Sequence, residues 1–78
     1  MEFIIHDGAP FVNQQVRWLG LPPGCVLIRI SDGKREFVPK ADTILQAHMR
    51  LTAVVAPEAF EGIELLRKGT SANEHEAI

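Results

Sequence analysis

Seventy-eight residues make at most one domain, and eight Lys and Arg against ten Asp and Glu leave it a net charge of −2. A chain this short buries only about 60% of its extended surface on folding, so its core is small and a partner would supplement it. A composition of 46% hydrophobic and 23% charged residues excludes a disordered tail. The longest uncharged stretch, Trp18 to Ile28, contains two prolines and two glycines and falls far short of the roughly 20 apolar residues of a membrane helix. The charge balance excludes the broad positive field that supplies most nucleic-acid affinity, so no nucleic-acid partner is expected. A single Cys25 can neither close an intramolecular disulfide nor build a thiolate zinc cluster. A reducing compartment is expected, and the N-terminus lacks the pattern of a secretory signal.

In chain order, Phe3-Ile4-Ile5 predicts a short strand that runs into the turn formers His6-Asp7-Gly8-Ala9-Pro10. Val12, Val16 and Leu19 recur at helical spacing, predicting a short helix within Phe11 to Leu19 with Asn13 capping its start. Gly20 and Pro22-Pro23-Gly24 stop it. Cys25 to Ile30 predicts the strongest strand, because Val26, Ile28 and Ile30 are β-branched. Asp32-Gly33 can adopt the positive φ angles of a tight turn, so Arg35-Glu36-Phe37-Val38 returns as the second strand of a hairpin. Thr43-Ile44-Leu45 has room for a brief further strand. Leu51 to Ala56 reads as a core strand, with Leu51, Ala53 and Val55 on one face and Thr52 and Val54 on the other.

Pro57 suits a first helical turn, with Glu58 and Glu61 near the positive end of the helix dipole and Arg67 and Lys68 near its negative end. These features predict a helix over 57–68, docked by Phe60, Ile63 and Leu66 and terminated at Gly69. Gly62 inside it weakens it by about 1 kcal/mol relative to Ala unless a close backbone approach repays the loss. The expected domain is 1–69, with 70–78 a flexible tail. The fold class is α+β: a small sheet of three to five short, mostly antiparallel strands with two helices. Two helices cover one face of such a sheet, and dimerisation would protect the rest.

Candidate chemistry is sparse. His6 or His48 could join Asp7 and Asp42 around a divalent ion, but solvated loop histidines explain them better, as His75 is also explained. Cys25 beside His6 or His48 would make a nucleophile and base, yet Cys at the start of an apolar strand reads first as a small buried hydrophobe. The carboxylates of Asp7, Asp32, Asp42, Glu36, Glu58 and Glu61 fix no pair for two-carboxylate hydrolysis. Asp32 serves its turn, and Asp42 braces the turn at Ala41-Asp42-Thr43. Gly20 to Gly24 lacks the spacing of a phosphate loop. Arg29, Lys34, Arg35 and Lys40 gather around the hairpin, where an anion could bind, although a solvated edge that discourages strand addition is the simpler reading. Trp18 fits either the core or a subunit contact, and Phe11 and Phe37 fit the core. No catalytic residue, metal or cofactor is expected.

The segments together resemble the TrkA-C domain, the C-terminal half of the RCK potassium-transport regulatory module. The resemblance is carried by Pro10-Phe11 with Val16 and Leu19, by Leu21-Pro22-Pro23-Gly24 leading into Cys25 to Ile30, by Asp32-Gly33-Lys34, by Val38 to Ala47 with Pro39, Asp42 and Thr43, and by Arg50 to Ala56. It covers roughly residues 3 to 67. Three departures stand out: Asn13 and Ala41 replace glycines of the family, and His48-Met49 replaces its Gly-Asp. The resemblance implies a non-enzymatic cytosolic regulatory domain of a membrane ion channel or transporter, attached to an inner or plasma membrane protein. Potassium channels, chloride channels and cation–proton antiporters are the possible parents. With no Rossmann half and an opening directly at a strand, the chain is expected to be a segment of such a protein.

The resemblance also implies a homodimer and a possible small-molecule ligand. Arg29, Lys40, Asp42 and Thr43 are the candidate ligand residues, and Trp18 and Phe11 the candidate interface residues. The alternative reading is a purely structural dimerisation module without ligand binding.

Overall fold

In the computed structural model, which describes residues 1–72, β1 (Glu2–Ile4), β2 (Cys25–Ser31), β3 (Glu36–Phe37) and β4 (Arg50–Val55) form one antiparallel sheet in the order β1-β4-β2-β3. Among the described residues a single α-helix, α1 (Glu61–Thr70), follows β4. Two one-turn 3-10 helices complete the regular structure, Val16–Trp18 and Pro57–Ala59.

The expected second α-helix is absent. The backbone N–H groups of Asn13, Val16 and Arg17 donate to the carbonyls of Leu45, Thr43 and Ala41, and Leu45 N–H donates back to Gln14. Those donors leave the helical i−4 pattern, so the apolar spacing of Val12, Val16 and Leu19 serves a turn-rich strap. Asn13 does not cap a helix: it takes φ +69 in the strap's left-handed corner. Of the expected Thr43–Leu45 strand, one isolated bridge remains, Gln15 to Ile44, while Leu45 is fully buried.

The inner face of the sheet meets this strap and α1. Ile5, Ile30, Leu45, Leu51 and Leu66 are the large side chains wholly removed from water. Cys25, Leu27 and Ala53 line the same core, and Phe3, Phe37 and Val55 pack at its margin. Strict alternation from Cys25 and Leu27 would turn Arg29 inward and Ile30 outward. A β-bulge between Leu27 and Arg29 resets the parity, pairing Arg29 with Thr52 and Ile30 with Leu51. Arg29 thereby faces out and Ile30 is completely buried.

The terminal helix is tighter and shifted. Pro57–Ala59 forms its 3-10 approach, Glu61 and Glu64 occupy the first α-turn, and Arg67 and Lys68 the last. Phe60 does not dock the helix; it sits at the helix start, 67% exposed, while Ala59 and Leu66 make the buried contacts. Gly69 does not terminate the helix but lies buried in its final turn, and Thr70 follows it, closing on the carbonyl of Leu66 through its hydroxyl at 2.8 Å. The rest of the segment read as a tail falls, from residue 73, outside the described residues.

Candidate functional site

Among the described residues no element packs over the exposed side chains on the outer face of the sheet. Val26 and Val54, directly paired across β2 and β4, are both exposed, as is Ile28 at the bulge. This is the apolar half of the face. Toward the hairpin it becomes charged, around a depression of about 170 Å³ lined by Glu2, Arg29, Ser31, Gly33, Glu36, His48, Arg50 and Thr52.

The pairing that builds the sheet also places each of these groups. Arg29 lies opposite Thr52, and Ser31 lies opposite both Arg50 on β4 and Glu36 on β3. Glu2 on β1 lies opposite Thr52. Arg29 reaches Glu36 at 3.6 Å and Arg50 reaches Glu2 at 3.5 Å, with all four side chains about half exposed or more. Such exposed pairs contribute little to stability, from about 0 to 1 kcal/mol each.

Of the residues picked out by sequence as ligand candidates, only Arg29 lines the depression. Lys40, Asp42 and Thr43 belong to a separate turn against the strap. The Thr43 hydroxyl accepts the Lys40 N–H at 2.8 Å and the Thr43 N–H donates to the Lys40 carbonyl at 3.0 Å, so Thr43, rather than Asp42, braces that turn. Arg50, Glu2, Ser31 and Thr52 were missed. The alternation of β4 already puts Thr52 opposite the core side, and carrying it one step back would have added Arg50.

Of the two interface candidates, Trp18 is 59% exposed at the end of its 3-10 turn, outside the core. Phe11 is buried and is corrected to a core residue. A Cβ built on Gly69 would stand 2.2 Å from its ring, so the ring lies directly on the helix backbone.

The other candidate chemistry finds structural explanations. Burial, with the nearby charge of Glu61 adding to it, pushes the Cys25 thiol up from its ordinary value, against thiolate character at neutral pH. Its Sγ would lie 2.8 Å from a Cβ on Gly62, the close approach that explains glycine inside α1. His48 and Asp7 do meet, Nε2 to Oδ1 at 3.2 Å, in an exposed pair. Among the described residues no group of three or more His, Cys, Asp and Glu side chains is arranged to hold a metal. The Asp32 carboxylate accepts the backbone N–H groups of Lys34 at 2.9 Å and Arg35 at 3.0 Å, which hold its pKa below the ordinary range.

The TrkA-C domain model matches residues 1–66. The chain belongs to the TrkA-C domain family, regulatory modules of potassium transport systems. A solved RCK domain, determined with cda, is similar in fold, with a TM-score of 0.69 and 24% identity over 86% of this chain and 96% of that one.

Two departures from the family pattern acquire a physical meaning here. Asn13 and His48, where the resemblance implies glycine, are the two non-glycine residues with positive φ among the described residues, at +69 and +74. The chain keeps the backbone shape at a conformational penalty that Asn bears more easily than His. No helix among the described residues is long and apolar enough to cross a membrane.

Proposed function

We propose that this chain is a non-enzymatic, cytosolic regulatory domain of a membrane ion channel or transporter, acting as a homodimer whose arrangement responds to a small molecule. The observation that carries the reading, beside membership of the TrkA-C family, is the outer face of the sheet, over which none of the described elements packs. Its apolar half, Val26, Ile28 and Val54, is the kind of contiguous patch that marks an interaction surface. Its charged half holds two acids and two bases, Glu2 and Glu36 with Arg29 and Arg50. An isologous contact on this face would be carried by the apolar half, the same patch on each copy. A ligand that binds one dimer arrangement better than another biases the equilibrium by that difference in affinity, and an attached pore would read the bias.

Sedimentation equilibrium of the 78-residue chain across micromolar concentrations, with and without a cytosolic metabolite extract, tests this. The expected result is a reversible dimer whose dissociation constant moves about tenfold with the extract, equivalent to about 1.4 kcal/mol of coupling. A monomer in both conditions would overturn the autonomous dimer, and a dimer indifferent to the extract would leave a purely structural module.

A further inference from the structure

We propose that the free edge of β1 is a strand-addition site whose occupant is β1 of a second copy, the two strands running antiparallel about a two-fold axis at Phe3. In the order β1-β4-β2-β3 the edges are β1 and β3. Natural edges are guarded against strand addition by shortness, Pro, Lys or a bulge. β3 has such guards: it is two residues long, follows Lys34 and Arg35, and runs into Pro39. β1, Glu2-Phe3-Ile4, has no Pro, no Lys and no bulge, and its Ile4 is about half exposed.

The backbone bonds fix which groups of β1 are free. Met1 and Ala53 exchange both bonds, at 2.8 and 2.7 Å, and the Ile5 N–H donates to the Met49 carbonyl at 2.9 Å. Antiparallel alternation directs the Phe3 groups to Leu51 as well, so the N–H and C=O of Glu2 and Ile4 point away from β4. Next in that row is His6, whose N–H is taken by the Thr70 carbonyl at 2.9 Å. Among the described residues nothing pairs with Glu2 and Ile4 on that side.

Such a row of donors and acceptors is met by an extended backbone. A second β1 meets it best in one register, with Glu2 opposite Ile4 of the second copy and Ile4 opposite its Glu2. Both members of each pair carry free groups, so each pair exchanges two hydrogen bonds. A one-residue slip sets free groups against groups already bonded to β4, and a two-residue slip keeps only one such pair. The charges agree with this register, because Glu2 faces an Ile rather than its own copy and keeps Arg50 at 3.5 Å. At the axis the two Phe3 side chains, each packed at the margin of its core, meet as a non-hydrogen-bonded pair with Cα atoms about 4.5 Å apart. The product is one sheet continuous across two copies, made by backbone groups, whereas side chains make the outer-face contact.

A strand this short gives a weak contact beside the roughly 20–30 residues a side of a stable interface. Copies already held together reach millimolar effective concentration, so the edge is occupied in an assembly. That last step rests on the dimer reading above; the edge contact itself does not.

The test is amide hydrogen exchange, read by NMR on the 78-residue chain from tens of micromolar to millimolar concentration, with Val54→Lys in parallel to remove the outer-face contact. In both chains the Ile4 and Glu2 amides should slow about tenfold or more at the high end, while Phe3 and Ile5, held by β4, stay protected throughout. Ile4→Pro removes a free N–H and leaves every bond from β1 to β4, so it should abolish the slowing at Glu2. Ile4→Lys keeps the N–H and sets an ammonium on the edge; it should weaken the slowing about tenfold, and it serves where proline disturbs the strand. Ile4 exchange that is equally fast at every concentration overturns the proposal. So does equal protection at every concentration, which means that the edge is covered within one chain, and so does slowing that survives both substitutions. Slowing that vanishes in Val54→Lys sinks the edge contact and leaves the dimer reading, whereas slowing at millimolar concentration in a parent chain that is monomeric at micromolar concentration sinks the dimer reading and leaves the edge.

Discussion

At the level of single residues, the glycines of α1 show how a contact can reverse a propensity. Gly62 and Gly69 each make the helix intrinsically weaker, yet one accommodates the Cys25 thiol and the other the Phe11 ring. Alanine at position 69 would gain about 1 kcal/mol in helix propensity. Its Cβ would also stand 2.2 Å from the Phe11 ring, with little room for either backbone to retreat, since Phe11 N–H donates to the Gly69 carbonyl at 2.9 Å. Overpacking of this kind costs about 1–3 kcal/mol and should win, so Gly69→Ala is expected to destabilise the chain in urea unfolding. Combining it with Phe11→Leu should recover part of the loss, giving a coupling of about 0.5 kcal/mol or more in a double-mutant cycle. Additive single effects would show that ring and glycine do not touch. Sequence reading took Gly69 as a helix terminator because a glycine at the end of an apolar stripe carries the same signal whether it ends the helix or receives a neighbour.

Among the elements, what sequence could read was what local chemistry decides. β2, β4 and the hairpin follow from β-branched runs and Asp-Gly, and the charge polarity of α1 from its first and last turns. The strap escapes sequence reading because its fate depends on carbonyls 24 to 32 positions later, at Ala41, Thr43 and Leu45, and helical spacing of Val12, Val16 and Leu19 is silent about them. The bulge was legible in principle, as the break of parity between Arg29 and Ile30.

The hairpin carries its own prediction. Two backbone N–H donors, first Lys34 and then Arg35, favour the ionised form of Asp32 and lower its pKa in the folded state. A carboxyl with a folded pKa below its unfolded one contributes stability that is fully present above the unfolded value, near 3.8, and lost as pH falls through the folded value. Carboxyl ¹³C NMR should therefore show Asp32 titrating below 3.8, and Asp32→Asn should flatten that part of the stability profile below about pH 4 while leaving the turn formed. A normal Asp32 titration would mean that the turn hydrogen bonds are not held in solution.

For the molecule as a whole, the strand order was beyond the reach of one sequence. β1 pairs with β4 across 48 residues, and only that pairing brings Glu2 beside Arg50 and completes the depression, to which the ligand candidates read from sequence contribute Arg29 alone. The same order leaves the outer face open, and Val54 is the residue that tests what covers it. In the monomer Val54 is 55% exposed, so Val54→Lys should change intrinsic stability by no more than about 0.5 kcal/mol. In a dimer built on this face the ammonium would be taken out of water opposite Val26, and desolvating an uncompensated charge costs several kcal/mol. Association should therefore weaken by about two orders of magnitude or more, each tenfold step being 1.4 kcal/mol. Dimer formation raises apparent stability with concentration, so unfolding must be compared twice. Well below the dissociation constant the two chains should unfold at the same urea concentration; well above it only the parent chain should gain. If Val54→Lys unfolds early even when dilute, Val54 belongs to the monomer core; if the dimer survives it, the contact lies elsewhere, and exposed Trp18 marks the next surface to substitute.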